Sequence, residues 1–473
     1  MMLNLTMGVI LSAAKDLKTS AREILRSLRF LRMTTVLAFL VSASGCGLLD
    51  TEQPNIIDPG GLGSPEGAEA LRLGALADFA YAVDGDGTQG EDGLILVSGL
   101  LSDEFIHSTT PPSQQEIDQR TTAIINPSLS DVYRNLHKAR VGSENAAAAL
   151  QEFLIAPEES PAIAEMQSLA GLTYVYFGEN FCSGVPFGRV RGDSTVLGTP
   201  LITQATFEAA LAKFDSALAH PGLSGDDGTI TNLALVGRAR ALVNLGRFAE
   251  AAATTAAVPT EFQYVNEHAD GPLQLQNAIW SYTNQGLWSV AEQEGGVGLP
   301  YISAVDPRVP VDSLDDDEDG FPDTGLDNQT TQYTLQKYPD AVASVSVADG
   351  IEARLIEAEA QLEAADFSGM TTTLNDLRAA FPDLALDPLA DPAAEDDAED
   401  LLFAERGFWL YATGHRLGDM RRLVRQYARP VDTVFPTGTY HKGGGNYGAD
   451  VNLPLPIEEE NNPNSAGCLD RNP

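Results

Sequence analysis

Apolar residues recur at helical spacing along most of the chain. Leu71, Ala75, Phe79 and Ala82 share one face behind Ser64-Pro65-Glu66, and that run stops at Gly85. Ser accepts amide hydrogen bonds, Pro suits the first helical position and Glu favours the positive end, so the triplet predicts a helix start. A second helix is expected from Leu94 to Ser102, then a polar and aromatic surface stretch to Arg120. The period returns with Leu129, Val132, Leu136, Ala146, Leu150 and Phe153. Behind Ser160-Pro161 it continues through Ile163, Met166, Ala170, Tyr174 and Phe177, and over Thr206–Ala219 through Phe207, Leu211, Phe214 and Leu218. Near the end, Leu401–Leu423 is apolar on nearly every side of its first half, which predicts a buried helix.

Two segments resemble each other at an offset of 119 residues: Ala239-Arg-Ala241 to Gly246-Arg247-Phe248, and Ala358-Glu-Ala360 to Ala365-Asp366-Phe367. Each reads as a helix, a tight turn at Gly or Ala, and a second helix ending at Pro259 or Pro382. This is the pattern of tetratricopeptide-like helix pairs, where small Ala positions let helices approach closely. Between them, residues 261–349 show little helical period but many aromatics, which argues for a functional loop region and against disorder. The expected fold is mainly α: a scaffold of helix pairs with long irregular loops forming a ligand face.

The N-terminus changes the picture from structure to targeting. Lys18, Arg22, Arg26, Arg29 and Arg32 precede the apolar run Met33–Ala43, which is too short to span a bilayer and fits a signal-peptide core. Ala-Ser-Gly-Cys at 43–46 resembles a bacterial lipobox, so Cys46 is the expected lipidation site; a plain secretory peptide with a chance Cys is the alternative. Residues 1–46 are thus read as a lipoprotein signal peptide, 47–63 as a tether, and 64–473 as a single domain with the insert at 261–349. With Cys46 modified, Cys182 and Cys468 are left to pair outside the cytoplasm, or to remain two buried thiols.

Formal charge is −38. Residues 1–46 hold six basic and two acidic side chains, leaving 23 basic against 65 acidic groups, or −42. Such a chain repels nucleic acid and anionic lipid, so membrane attachment is expected only through the lipid anchor. A cationic or neutral ligand, or a divalent metal, suits it.

In Leu401–Leu423, Glu405, Trp409, Arg416, Asp419 and Leu423 fall on one helical stripe if Gly414 only kinks the run. Charges sharing a face with Trp need partners, so Glu405, Arg416 and Asp419 are expected to form a structural ion lattice, with a catalytic role as the alternative. Gly414, His415, Arg416, Asp419, Arg421 and Arg422, with Pro456, Ile457, Glu460, Asn462 and Pro463, resemble the C-terminal signature of the SusD/RagB-like nutrient-binding lipoproteins. Thr413, Leu417, Gly418 and Met420 depart from it. Gly184, Val185 and Pro186 resemble that family's Gly-x-Val-Pro turn. The resemblance implies a surface-exposed outer-membrane lipoprotein that captures oligosaccharide, or less often peptide, and passes it to a TonB-dependent SusC-like barrel.

Sugar sites need flat apolar faces beside amides and carboxylates. Trp280, Tyr282 and Trp288, near Asn277, Asn284 and Gln285, supply those parts; filling the seam between loop and helices is the alternative. Tyr81 and Phe105 are further candidates. Asp315, Asp317, Asp319 and Asp323 fit the start of a calcium loop, although position twelve is Leu326; a solvated acidic loop is the alternative. No cofactor is required, and calcium is the only candidate. No GxSxG, HExxH, Walker loop or strand-preceded GxGxxG is present, and no catalytic residue is assigned. The rival readings are a tetratricopeptide adaptor lipoprotein and a secreted glycoside hydrolase.

Overall fold

The computed structural model describes residues 63–88, 92–191, 194–313 and 323–473. The expected signal peptide with Cys46, the tether to residue 62, and Asp315, Asp317 and Asp319 lie outside the described residues. The helices are α1 (Pro65–Asp84), α2 (Leu94–Leu101), α3 (Pro112–Asp118), α4 (Pro127–Phe153), α5 (Ala162–Asn180), α6 (Thr203–Leu218) and α7 (Thr229–Asn244). They continue with α8 (Phe248–Thr255), α9 (Ala278–Asn284), α10 (Gly350–Glu363), α11 (Phe367–Ala380), α12 (Glu395–Trp409) and α13 (Arg416–Arg425). No described helix is long and apolar enough to cross a membrane.

Local chemistry explains where many of them start. The Ser64 side chain accepts the Gly67 N–H with Pro65 in the first turn, and Gly85 closes α1 at φ 80°. Asn126 accepts the Leu129 N–H and starts α4 in the same way, and Asp349 and Asp366 cap α10 and α11. Ser160 does not cap α5, which begins behind Pro161 without a side-chain bond. The Ser160 N–H instead closes a short turn on the Pro157 carbonyl.

The helices pack in succession: α1 on α4, α4 on α5, α5 on α6 and α7, α7 on α8, α8 on α10, and α10 on α11 and α12. α7–α8 and α10–α11 are the two segments that look alike in sequence. Their tight turns fall on Gly246 at φ 71° and Ala365 at φ 56°. Close approach explains two other glycines. A Cβ on Gly171 or on Gly237 would lie 2.8 Å or 2.4 Å from the Phe214 ring, so this ring fills the seam between α5, α6 and α7 only because both are Gly.

Three expectations need correction. Leu401–Leu423 is not one kinked helix, because Ala412 (φ 55°) and Gly414 (φ 73°) turn the chain left-handed and separate α12 from α13. The stretch after α2 is not surface: Asp103, Glu104, Phe105, His107 and Ser108 are buried. Their backbone is satisfied by an antiparallel ladder in which Phe105 faces Val290 and His107 faces Trp288. The insert is not irregular throughout. It holds α9 and short ladders pairing Val311–Ser313 with Tyr333–Leu335 and Gln263–Asn266 with Val345–Asp349.

Cys182 and Cys468 are joined, with Cα atoms 5.7 Å apart across 286 residues of sequence. The Cys182 N–H bonds to the Leu453 carbonyl and the Ser183 N–H to the Asp470 carbonyl, which lays the C-terminal segment along the exit of α5.

Candidate functional site

The aromatic residues expected to meet a ligand are mostly elsewhere. Trp288, Tyr282 and Phe105 are fully buried. Tyr282 stands edge-on to Trp288 at 5.1 Å between centroids, Phe105 lies 6.3 Å from Trp288, and Tyr411 stands edge-on to Phe105 at 5.5 Å. This internal aromatic stack joins the insert to the end of α12, so the three residues are withdrawn as ligand contacts. The physical reason is register: Phe105, His107 and Trp288 lie on the core side of their ladder, and Tyr282 is anchored through its hydroxyl to Asp92 at 2.8 Å. Trp280 is half-buried against the core. Tyr81 lines a separate cavity of about 540 Å³ between α1, α4 and residues 267–275.

Glu405, Arg416 and Asp419 do lie in a buried ion lattice, but they do not pair with one another. Arg416 donates two bonds to Asp103, at 2.6 and 2.8 Å. Glu405 is held by Arg308 at 2.8 Å and by Arg378, while Arg308 lies over the Phe408 and Trp409 rings. Asp419 takes Arg406 at 2.8 Å and Arg422 at 2.7 Å, and Arg422 also reaches Glu359. Burial pushes the Asp419 carboxyl up, and the two guanidinium groups more than offset it, holding it far below the usual range. Arg240 joins Glu179 (2.6 Å) and His415. Apart from Asp419–Arg422 within α13, the partners come from different elements, so the lattice fastens α12 and α13 to the body. Arg416 also lines a cavity of about 370 Å³ beside Phe403 and Leu423.

A cavity of about 330 Å³ opens instead among the loops, lined by Ile106, Val290, Glu292, Glu294, Gln329, Tyr333 and His441 among others. Strand alternation turns Ile106 outward while Phe105 and His107 turn in. Tyr333 starts the strand paired with Val311–Ser313 and remains partly exposed. Glu292 is fixed by the Ile302 N–H at 2.8 Å, the Ser303 N–H at 3.1 Å and the Ser303 hydroxyl. His441 is held through Nε2 by Asp118 at 2.8 Å, and the same carboxylate oxygen accepts the His107 N–H and the Tyr440 hydroxyl.

Behind the cavity, Lys442 ties three loops together. Its Nζ reaches Asp327 at 2.7 Å, the Thr109 carbonyl at 2.7 Å and His107 Nδ1 at 3.0 Å. Burial, then the Lys442 charge, pushes the His107 imidazole down to about 4. Burial opposes ionisation of Asp327, but Lys442 and Thr330 hold its carboxyl well below the ordinary range. The wall of the cavity is therefore preorganised, with one aromatic face beside carboxylate, amide and imidazole groups. That set can pack against a sugar ring and read its hydroxyls. Among these residues, Tyr333 is visible in the sequence as one of the insert's aromatics. Glu292, Glu294, Gln329 and His441 carry no spacing signal, since loops 290–302, 329–333 and 441 meet only in the fold.

A second groove, of about 490 Å³, runs between α4 and the C-terminal segment. Tyr133, His137, Arg140, Pro186, Pro456, Glu459 and Asn462 line it, and the Tyr133 hydroxyl bonds Glu459 at 3.0 Å. Asp323 belongs to the described residues, and among those no group of three or more His, Cys, Asp or Glu could hold a metal ion.

The architecture is that of a helix-pair scaffold carrying a loop-built cavity. Comparison with solved structures gives that architecture a family fold. The surface glycan-binding protein A from Bacteroides uniformis matches with a TM-score of 0.64 at 14% identity, over 86% of this chain and 99% of that one. A SusD superfamily protein from Parabacteroides distasonis matches with a TM-score of 0.62 at 13% identity, over 84% and 98%. A SusD-like carbohydrate binding protein from Bacteroides vulgatus matches with a TM-score of 0.57 at 12% identity, over 76% and 83%. The chain has the SusD-like fold. No protein-family model and no curated protein matches the sequence.

Proposed function

We propose that this protein is a non-catalytic, surface-exposed lipoprotein of a diderm outer membrane, anchored through Cys46, that captures an oligosaccharide and delivers it to a TonB-dependent transporter. The observation that carries the reading is the loop-side cavity on a SusD-like scaffold, with Glu292, Gln329, Tyr333 and His441 held at its wall. A solved neighbour is described as a surface glycan-binding protein and another as a carbohydrate binding protein, which favours a glycan over a peptide. Binding needs no bond to be broken, and nothing in the wall requires a metal. Calcium at Asp315–Asp323 stays a separate proposal, tested by calorimetric titration of the protein with calcium in the millimolar range.

A glycan array tests the ligand, and co-purification of a barrel from membranes tests the partner. The expected result is binding of an oligosaccharide that Tyr333→Ala weakens at least about tenfold, since an aromatic face and its buried area are lost. An array without signal, or Tyr333→Ala binding as well as the parent, contradicts the reading. Turnover of the oligosaccharide would favour the hydrolase instead, and a captured peptide tail without glycan affinity would favour the adaptor.

A further inference from the structure

His441 is the imidazole in the described lining of the loop-side cavity, and its side chain keeps 19% of its surface exposed. Its Nε2 lies 2.8 Å from Asp118 Oδ2, the oxygen that also accepts the His107 N–H and the Tyr440 hydroxyl. Burial, then the Asp118 charge, pushes the Glu294 carboxyl well above its ordinary range, so Glu294 is the protonated member of that pair and its O–H serves Asp118. Asp118 is thus met by donors alone, and His441 joins them as Nε2–H. With its proton there, the neutral ring carries a lone pair on Nδ1. Among the described residues Nδ1 has no hydrogen-bond partner, so the ring edge left to the cavity is an acceptor.

The other fixed donors around the cavity are also spent inside the protein. Gln329 gives a side-chain N–H to the Lys442 carbonyl at 2.8 Å, and the Thr330 hydroxyl donates to Asp327 at 2.7 Å. The Lys442 ammonium meets Asp327, the Thr109 carbonyl and His107 Nδ1, which uses all its N–H bonds. Glu292 accepts from residues 302 and 303 and, as a carboxylate, has no proton to give. No Lys or Arg belongs to the described lining. The donors that remain are uncharged: the Tyr333 and Thr331 hydroxyls, the Gln293 amide and the second Gln329 N–H.

Resting on the glycan-binding reading above, we infer that His441 is the specificity-determining residue of this cavity: its Nδ1 accepts a hydrogen bond from a sugar hydroxyl, and so selects neutral glycans with that hydroxyl free. A hydroxyl can donate to Nδ1 and accept from an uncharged donor at the same wall. A uronate carboxylate or a sulfate ester has only acceptors to offer. It would also set its charge beside Glu292, with no cation in the described lining to offset it. Methylating the hydroxyl removes the donor and leaves Nδ1 facing an ether, unpaired.

Two measurements on the full-length protein test this. Long-range proton–nitrogen NMR spectra of the imidazoles, with His441→Phe to assign the signals, should show a proton on His441 Nε2 and none on Nδ1 before any ligand is added. The second is an array of cellotetraose, β-1,4-galactotetraose and β-1,4-mannotetraose beside tetragalacturonate, a β-1,4-glucuronate tetramer and sulfated cellotetraose. Signal should fall on neutral tetramers only. In calorimetry with the neutral tetramer bound best, His441→Phe should weaken binding at least about fivefold, and the permethylated tetramer should not bind. A proton on Nδ1, a uronate or sulfated probe bound as tightly as the neutral ones, or His441→Phe binding as well as the parent overturns the inference. Should that variant not fold, the comparison of neutral and anionic probes on the parent still decides. The nutrient reading survives each of those results; an array without any signal fails that reading, and this inference with it.

Discussion

Arg416 and Asp103 show how single residues hold this molecule together. Both are almost completely buried and satisfy each other through two bonds. Removing one partner leaves an uncompensated buried charge, so Asp103→Ala should cost about 3–5 kcal/mol in urea denaturation. A loss below about 1 kcal/mol would mean that water reaches the site. The need for such a lattice was readable from Glu405, Arg416 and Asp419, because charges on a Trp-bearing helix face demand partners. The partners were not readable, since Asp103 lies 313 residues away from Arg416 and Arg308 lies 97 from Glu405.

Two other buried groups set opposite pH limits. His107 is pushed down to about 4 from 6.5, so the unfolded chain takes its proton first. The stability that His107 contributes is present above pH 6.5 and is lost as the pH falls towards 4. Burial raises Glu104 to about 8 from 4.5 despite the Ala412 N–H that it accepts. Its contribution is present below pH 4.5 and is lost as the pH rises through 8. Each unit of separation is worth roughly 1.4 kcal/mol before relaxation. Glu104→Gln should therefore flatten the decline between pH 4.5 and 8 while leaving the acid limb unchanged, as followed by melting temperature against pH. An unchanged profile in the variant would mean that Glu104 ionises normally in the folded chain.

At the scale of elements, the helices follow the written period and their packing depends on small residues in the seams. Gly237→Ala improves helix propensity by about 1 kcal/mol, yet its Cβ meets the Phe214 ring, and overpacking of that kind costs about 1–3 kcal/mol or more. The expected outcome is a net loss of stability, and a gain would show that the ring can move aside. The Cys182–Cys468 bond closes a very long loop, so Cys182→Ser with Cys468→Ser should lower stability by about 5–6 kcal/mol on the chain-entropy model. Addition of reductant to the parent should give the same shift.

The long helices were legible because a period of 3.6 needs several turns to show, and α1, α4, α5 and α6 provide them. The break between α12 and α13 was not, because Ala412 gives no warning of a left-handed turn. The short ladders were invisible for a related reason: strands such as Phe105–His107 and Trp288–Val290 are too brief for alternation to be read.

For the whole molecule, the class of fold was legible and the loop-side cavity was not. Aromatic content marked residues 261–349 as a folded region, and they carry α9 and two paired ladders. Yet Trp288 and Tyr282 went inward to fasten the insert, because the best core-forming side chains were also the best sugar-platform candidates. The cavity was left to Tyr333 and polar groups from loops that only the fold brings together. Net charge acts at the same scale: a formal −38 favours approach of neutral or cationic ligands and disfavours anionic ones.

Hydrogen–deuterium exchange of the full-length protein with and without the oligosaccharide selected on the array tests the account most directly. New protection is expected, confined to residues 290–303, 329–335 and the loop around His441. Protection instead at α4 and residues 456–462, the walls of the larger groove, or no change at the loop-side cavity at saturating ligand, would contradict it.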